Sequence, residues 1–286
     1  MTTVPRSVRT LTLLITAAAL LAGCGGPAPD EDARGGAGHP GKRVEKHAAE
    51  APRRAAQAPR TPRTVTPVRA HGARQGRRVA LTFDADMMSD QVERAAGGER
   101  FDNPELIATL RRLRVPSTVF MTGAWAEQYP RQARAIGGDP LFEVANHSYS
   151  HHAFTTPCYG LPAVDPAAMR ADVERAFAAF RRAGVPDVVP YFRFPGGCYD
   201  AAALKALAPT GVTAVQWDVA SGDAFATDAA AVADEVLAQV RPGSVVVLHC
   251  TKSAAPATEA AVRTIVPELR RRGFAFAKVS ELLAAR

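Results

Sequence analysis

The sequence predicts an α/β domain, a distorted (β/α) barrel of about seven parallel strands, over residues 79–286. Three observations carry that expectation. Short apolar runs alternate with segments whose apolar residues recur every three or four positions, the arrangement of βα units. Seven such runs fall in about 208 residues, a density that suits one domain around a parallel sheet. The ionisable residues that interrupt the pattern collect just after the runs, at the carboxyl ends of strands, where α/β folds bind ligands.

The runs at 79–83, 117–122, 142–146, 191–194, 213–218, 245–249 and 274–278 are the expected strands. Helices are expected at 104–113, 125–136, 166–183, 201–207, 227–240 and 258–272. Asn103 before Pro104 and Glu105 caps and opens the first, and Leu106, Ile107 and Leu110 supply its apolar face. Asp165 and Pro166 open the third in the same way. Its apolar residues Met169, Val173, Ala176, Phe177 and Phe180 lie three or four apart, and Gly184 and Pro186 end it.

The segment before residue 79 reads differently. Arg6 and Arg9 precede an apolar run at 11–21 and the tetrapeptide LAGC, so residues 1–23 have the three regions of an export signal. The run is too short for a membrane span. LAGC resembles the lipobox of bacterial lipoproteins, which implies a lipidated Cys24 at the mature N-terminus and a protein held on the outer face of the bacterial cytoplasmic membrane. An ordinary secreted protein is the alternative. Residues 24–78 hold seven prolines and no aromatic residue, a composition that predicts a disordered tether. The tether carries net charge +7, whereas residues 79–286 carry −2, so the basic character belongs outside the folded part. That division argues against a nucleic-acid-binding domain and leaves the tether either a solvated spacer or a segment with diffuse attraction to a membrane surface or anionic cell wall.

The strongest local signal is NHSYSHH at 146–152. His147 and His151, four residues apart, share a face in a helix or helical turn and can approach one ion. The run VALTFDAD ends in two carboxylates, Asp84 and Asp86, which oppose each other's ionisation unless a cation or hydrogen bonds hold them. Asp86 as an anionic ligand and Asp84 as a base toward metal-activated water would give the pair unequal tasks. Two imidazoles and a carboxylate leave coordination positions open, the pattern of catalytic rather than structural zinc. Co²⁺, Ni²⁺ or Mn²⁺ would also accept that donor set.

VALTFDAD, NHSYSH, RFPGG, WDVASGD and VVVLHC, in this order, resemble the successive motifs of the NodB-like polysaccharide deacetylases, carbohydrate esterase family 4. The resemblance covers essentially all of residues 79–286. It implies that Asp84 is the catalytic base, that Asp86, His147 and His151 hold the metal, that Arg193 orients the base, and that His249 is the general acid. It also places the Gly196 N–H at the oxyanion site. Asp223 is implied to orient Arg193 or His249. The activity implied is metal-dependent removal of N-acetyl groups from an amino-sugar polymer, peptidoglycan before chitin oligomers or another exopolysaccharide. A binding protein that kept the fold, or a deacetylase of O-acetyl esters or small molecules, are the alternatives.

Two departures from the family pattern stand out. Ala85 separates aspartates that are adjacent in most of the family, so either a small backbone bulge brings Asp86 to the metal or a gap-free match puts Ala85 at that position. Asp223 is followed by Ala224 and Phe225 in place of tryptophan. Beyond Cys24 the chain has Cys158, Cys198 and Cys250, for which one disulfide, Cys158 to Cys198 first, and one free thiol compete with three buried thiols. Tyr159, Tyr199 and Phe225 flank the motifs and are candidates to stack on sugar rings.

Overall fold

The computed structural model describes residues 63–285. The expected signal, Cys24 and the tether up to residue 62 lie outside the described residues. Nine strands are described: β1 (Val68–Arg69), β2 (Arg78–Ala85), β3 (Ser117–Met121), β4 (Phe142–Asn146), β5 (Tyr191–Phe192), β6 (Thr213–Val215), β7 (Val219–Ala220), β8 (Val245–His249) and β9 (Ala275–Phe276). Helices α1 (Val92–Ala96), α2 (Pro104–Leu113), α3 (Gly123–Gln128), α4 (Pro130–Gly137), α5 (Met169–Ala183), α6 (Ala201–Leu207), α7 (Ala229–Gln239), α8 (Thr258–Arg271) and α9 (Val279–Ala284) separate or follow them.

The strands pair in parallel in the order β1-β6-β5-β4-β3-β2-β8-β7, and β9 pairs with β2. This is a curled parallel sheet covered by helices, a distorted (β/α) barrel. β3 and β4 are buried along their whole length, and β2 is buried after its first residue, as expected of strands covered on both faces. The chain shuts the curl by an unusual route. β6 and β7 sit toward opposite ends of the hydrogen-bonded order, yet only residues 216–218 lie between them in sequence.

Several helices begin at side-chain caps. The Asn103 side chain accepts from the Leu106 N–H, Asp200 from Ala203 and Asp228 from Ala230, each cap contributing about 1 kcal/mol. Leu106 and Leu110 of α2 are fully buried, which stabilises the fold by roughly 1.5–3 kcal/mol per side chain. Arg114 and Gly184 end α2 and α5 in the left-handed conformation.

Several boundaries differ from the sequence expectation. The helix expected at 125–136 is two helices, because Pro130 opens a new one at its first position. The helix expected from Pro166 begins as a 3-10 turn at Pro166–Ala168 and becomes α-helical at Met169. The strand expected at 213–218 is interrupted after Val215. The largest correction concerns the tether, because residues 66–78 belong to the folded domain. Thr66 N–H donates to Leu204 O, β1 pairs with β6, and Gly72 N–H donates to Gly243 O. Thr66 is buried, and Arg74 binds Asp218 at 2.7 Å. The proline- and arginine-rich composition hid this packing because it is made mainly by backbone groups and arginine side chains, with Val68 the one apolar residue laid against a core cluster. Among the described residues, no helix is long and apolar enough to cross a membrane.

Candidate active site

Asp84, Asp86, His147, Arg193, Asp223 and His249 stand at or just beyond the carboxyl ends of strands, and the curl of the sheet brings these ends together. Asp84 and Ala85 close β2, and pairing with β3 runs without interruption through Asp84–Phe120 and Ala85–Met121. The bulge is absent. Strand alternation alone turns Asp84 and Asp86 to one side and buries Ala85 in the core on the other. Asp86 is then fixed beyond the strand by Thr251, whose hydroxyl accepts from the Asp86 N–H at 3.0 Å.

His147 follows β4 directly, and its Nδ1 lies 2.9 Å from the carbonyl of Arg193, which fixes the ring with Nε2 toward the aspartates. His151 arrives differently from the expected helical turn. The segment after β4 is a loop with Ser148 and His151 at φ 69° and 58°. The Asn146 side chain accepts from Ser148 N–H, and the Ser148 hydroxyl from His151 N–H. These local bonds offset the strain of left-handed non-glycine residues and set the two imidazoles 5.1 Å apart.

The result is a three-residue donor cluster. Asp86 Oδ1 lies 3.3 Å from His147 Nε2 and 3.5 Å from His151 Nε2, and one donor atom from each residue falls within 4.8 Å of the others. Asp86 Oδ1 is buried without a hydrogen-bond partner, an arrangement that costs free energy in the protein alone and that a cation would relieve. The residues therefore fit a divalent metal ion. Burial opposes ionisation of Asp86, but His151, His147 and His249 hold its carboxyl far below the usual range. Burial pushes His151 down to about 4, leaving a neutral imidazole able to ligate. Asp84 and Asp86 raise His147 against the effect of its own burial.

Two pairs flank this cluster. Arg193, fully buried, donates from Nη1 to Asp84 Oδ1 at 2.6 Å and from Nε to Val215 O at 3.1 Å. Its guanidinium carbon lies 3.9 Å from the Phe120 ring centroid and 5.4 Å from that of Trp217. Burial lowers its pKa, with Asp84 opposing. On the other flank, Asp223 orients His249 rather than Arg193. The His249 Nδ1 lies 2.7 Å from Asp223 Oδ1, and Asp223 Oδ2 accepts from the His249 N–H and the Thr258 hydroxyl. Burial disfavours the His249 cation, but Asp223, with Asp86 and Asp84 behind it, lifts the imidazole to about 10. His249 Nε2 points at Asp86 Oδ2 from 3.9 Å.

The supporting residues Thr251, Thr258, Ser221 and Phe120 were not singled out in the sequence. Ser and Thr beside motif residues carry no distinguishing pattern, although Ser221 falls within WDVASGD. Cys158 and Cys198 form a disulfide, and Cys250 is free and buried, its thiol pushed up to about 12 by burial. Gly196 has φ +62° in the turn after Arg193, and a side chain there would meet Cys158 Sγ. Tyr159 and Phe225 are 89% and 84% exposed, and Tyr199 is half-exposed. His152 stays outside the donor cluster and lines a separate cleft with Asp165, Asp172 and Arg175.

The chain resembles known proteins in sequence and in fold. Residues 71–215 match the polysaccharide deacetylase family model. The chitooligosaccharide deacetylase of Sinorhizobium fredii is 34% identical over 185 residues, which cover 60% of this chain and 80% of that protein. Among solved structures, a peptidoglycan N-acetylglucosamine deacetylase superposes with TM-score 0.64 at 22% identity, covering 77% of this chain and 94% of that one. A carbohydrate esterase family 4 pseudoenzyme from Bacillus anthracis superposes with TM-score 0.62 at 22% identity, covering 78% and 69%. The two structures share the fold, while the family model and the Sinorhizobium relative share sequence as well. The ordered motifs, the curled parallel sheet and these matches together establish that the chain belongs to the NodB-like polysaccharide deacetylase family, carbohydrate esterase family 4.

Proposed function

We propose that the protein is a metal-dependent hydrolase that removes N-acetyl groups from an amino-sugar polymer and releases acetate, with peptidoglycan as the substrate. The single observation that carries the reading is the buried, unpartnered Asp86 Oδ1 between the Nε2 atoms of His147 and His151, with a braced carboxylate on one side and an imidazole on the other. Asp86, His147 and His151 would hold the ion, with zinc the default for an imidazole and carboxylate set. When bound, the metal supplies Lewis-acid polarisation of the acetyl carbonyl and of the attacking water.

The chain's own groups do the rest. Asp84 is the base, with Oδ1 committed to Arg193 and Oδ2 available to take the water proton. Arg193 cannot act as an acid at neutral pH, so its role is to fix the carboxylate and balance its charge in a dry site. The Gly196 N–H, on the turn that follows Arg193, is the oxyanion donor implied by the motif match. His249 carries protons on both ring nitrogens at neutral pH. Its Nδ1 stays on Asp223, and its Nε2 donates to the departing amine nitrogen.

Peptidoglycan is favoured because the LAGC signal and Cys24 would tether the enzyme on the outer face of the cytoplasmic membrane, beside the wall. Acetate release from peptidoglycan, chitooligosaccharides and an O-acetylated xylan, with zinc-loaded and chelated protein, tests the proposal. Zinc-dependent release from the N-acetylated polymers is expected. No release from any of them by zinc-loaded protein would overturn the enzymatic reading, and release from the O-acetyl substrate alone would redirect it to ester hydrolysis.

A further inference from the structure

Two loops beside the site are fastened to each other by contacts that the deacetylation chemistry does not use. One runs from Phe154 through Cys158 and Tyr159, and the other from Phe194 through Gly196 and Cys198 to Tyr199. The Cys158–Cys198 disulfide joins them across 40 residues of sequence. Phe154 packs edge-on against Phe194 with ring centroids 5.4 Å apart, and the Thr155 hydroxyl donates to Asp200 at 3.1 Å. The second loop is gripped from its other side too, because a Cβ on Gly197 would fall 2.5 Å from the Trp217 ring.

What these fastenings present to solvent is aromatic. Tyr199 stacks on Phe194 at 5.0 Å with an interplanar angle of 19°, and its ring is part exposed. Tyr159 is 89% exposed and has φ +48°, a left-handed backbone that costs a non-glycine residue free energy. Its ring edge lies 3.3 Å from where a Gly196 Cβ would stand, so it overhangs the turn that starts two residues after Arg193, the residue that grips the base. The left-handed backbone of Tyr159 belongs to the turn that the Leu161 N–H closes on the Cys158 carbonyl at 2.9 Å, and the turn sets the Tyr159 ring in solvent, where it gains little in packing and presents an apolar face to a ligand.

We propose that the two disulfide-joined loops form a glycan-binding wall, in which Tyr159 and Tyr199 stack on sugar rings flanking the residue that reacts, and that the disulfide acts by holding Tyr159 over Gly196. This rests on the deacetylase reading above and adds to it the residues that select polymer over short substrate.

The test uses the zinc-loaded full chain with a pentamer and a dimer of N-acetylglucosamine. Tyr159→Ala is expected to raise KM for the pentamer roughly 2- to 10-fold, the range of one aromatic stacking contact, with zinc content and kcat unchanged. Tyr159→Phe should restore the wild-type KM. The dimer should respond less, because it covers fewer rings of the wall. The Cys158→Ser/Cys198→Ser double variant is expected to raise the pentamer KM similarly, and adding Tyr159→Ala to it should produce no further rise, since both changes remove one contact. An unchanged KM in Tyr159→Ala, or fully additive effects of Tyr159→Ala and the cysteine changes, would overturn the wall. Pentamer affinity measured by calorimetry separates the two readings. Wild-type protein that releases no acetate yet binds the pentamer through Tyr159 defeats the deacetylase reading and keeps the wall, whereas acetate release indifferent to Tyr159 does the reverse.

Discussion

Asp86 and Asp84 are chemically identical side chains two residues apart, and their surroundings divide them. Asp86 faces three imidazoles, whereas Asp84 is held by a buried guanidinium. That division predicts different failures. His147→Ala should weaken zinc affinity by at least about 10²-fold, since it deletes a ligand and costs more than loss of an outer-shell partner. His249→Ala should keep zinc and slow turnover by roughly 10²-fold or more. Equilibrium dialysis beside acetate release checks both, and equal metal loss in the two variants would refute the assignment. The Asp223–His249 pair also makes a pH prediction. His249 is raised from 6.5 to about 10, so its stabilisation is complete below 6.5 and lost as pH rises toward 10. Asp223 is lowered from 3.8, chiefly by His249 against its own burial, so its stabilisation is present above 3.8 and lost as pH falls through the lowered value. In chelated protein, the Tm penalty of Asp223→Asn should be larger near pH 6 than near pH 10. A penalty independent of pH would show that the pair is not ionic.

At the scale of elements, turns matter as much as strands. Gly243 precedes β8 at φ +79°, and a Cβ there would lie 2.3 Å from the carbonyl oxygen of Ala73. Because the obstacle is backbone, Gly243→Ala should destabilise by about 1–3 kcal/mol. Gly98, also at positive φ but with open space around it, should cost about 1 kcal/mol or less on replacement by Ala. Chemical denaturation of the two variants measures the difference, and equal losses would mean that the contact between Gly243 and residues 72–73 is not tight. The same scale shows what the sequence made legible. Helices α2 and α5 were readable because caps and three-to-four spacing agree, and β2, β3, β4 and β8 because buried parallel strands are continuous apolar runs. β1, β7 and α9 were not: two-residue strands have no period to detect, and α9 has six residues. The site residues were legible as motifs, but the histidine loop was not, since no composition marks Ser148 and His151 for a left-handed backbone. Nor was the missing bulge at Ala85, which follows from alternation once the end of β2 is known.

For the whole molecule, the fold begins earlier than composition suggests. β1, Thr66 and Gly72 tie residues 66–72 to β6, α6 and the turn before β8. A chain beginning at Thr64 should match the full chain in Tm, whereas one beginning at Val79 should lose several degrees, about what 1–2 kcal/mol represents for a domain of this size. Thermal melts of the two truncations decide it, and identical melts would return residues 64–78 to the tether.

The link from β6 to β7 has a mechanical consequence. Around the rest of the barrel wall, neighbouring strands are laced by hydrogen bonds that can lengthen or slip, but residues 216–218 are covalent and cannot stretch. Trp217, midway along that stitch, leans on the guanidinium of Arg193 and on the turn at Gly197. The roundness of the barrel mouth and the aim of Asp84 are therefore geared together. Ovalisation of the mouth, whether by heat, by a bulky neighbour or by a mutation on the far wall, would reach the base through Arg193, which both the Val215 carbonyl and the Trp217 indole hold.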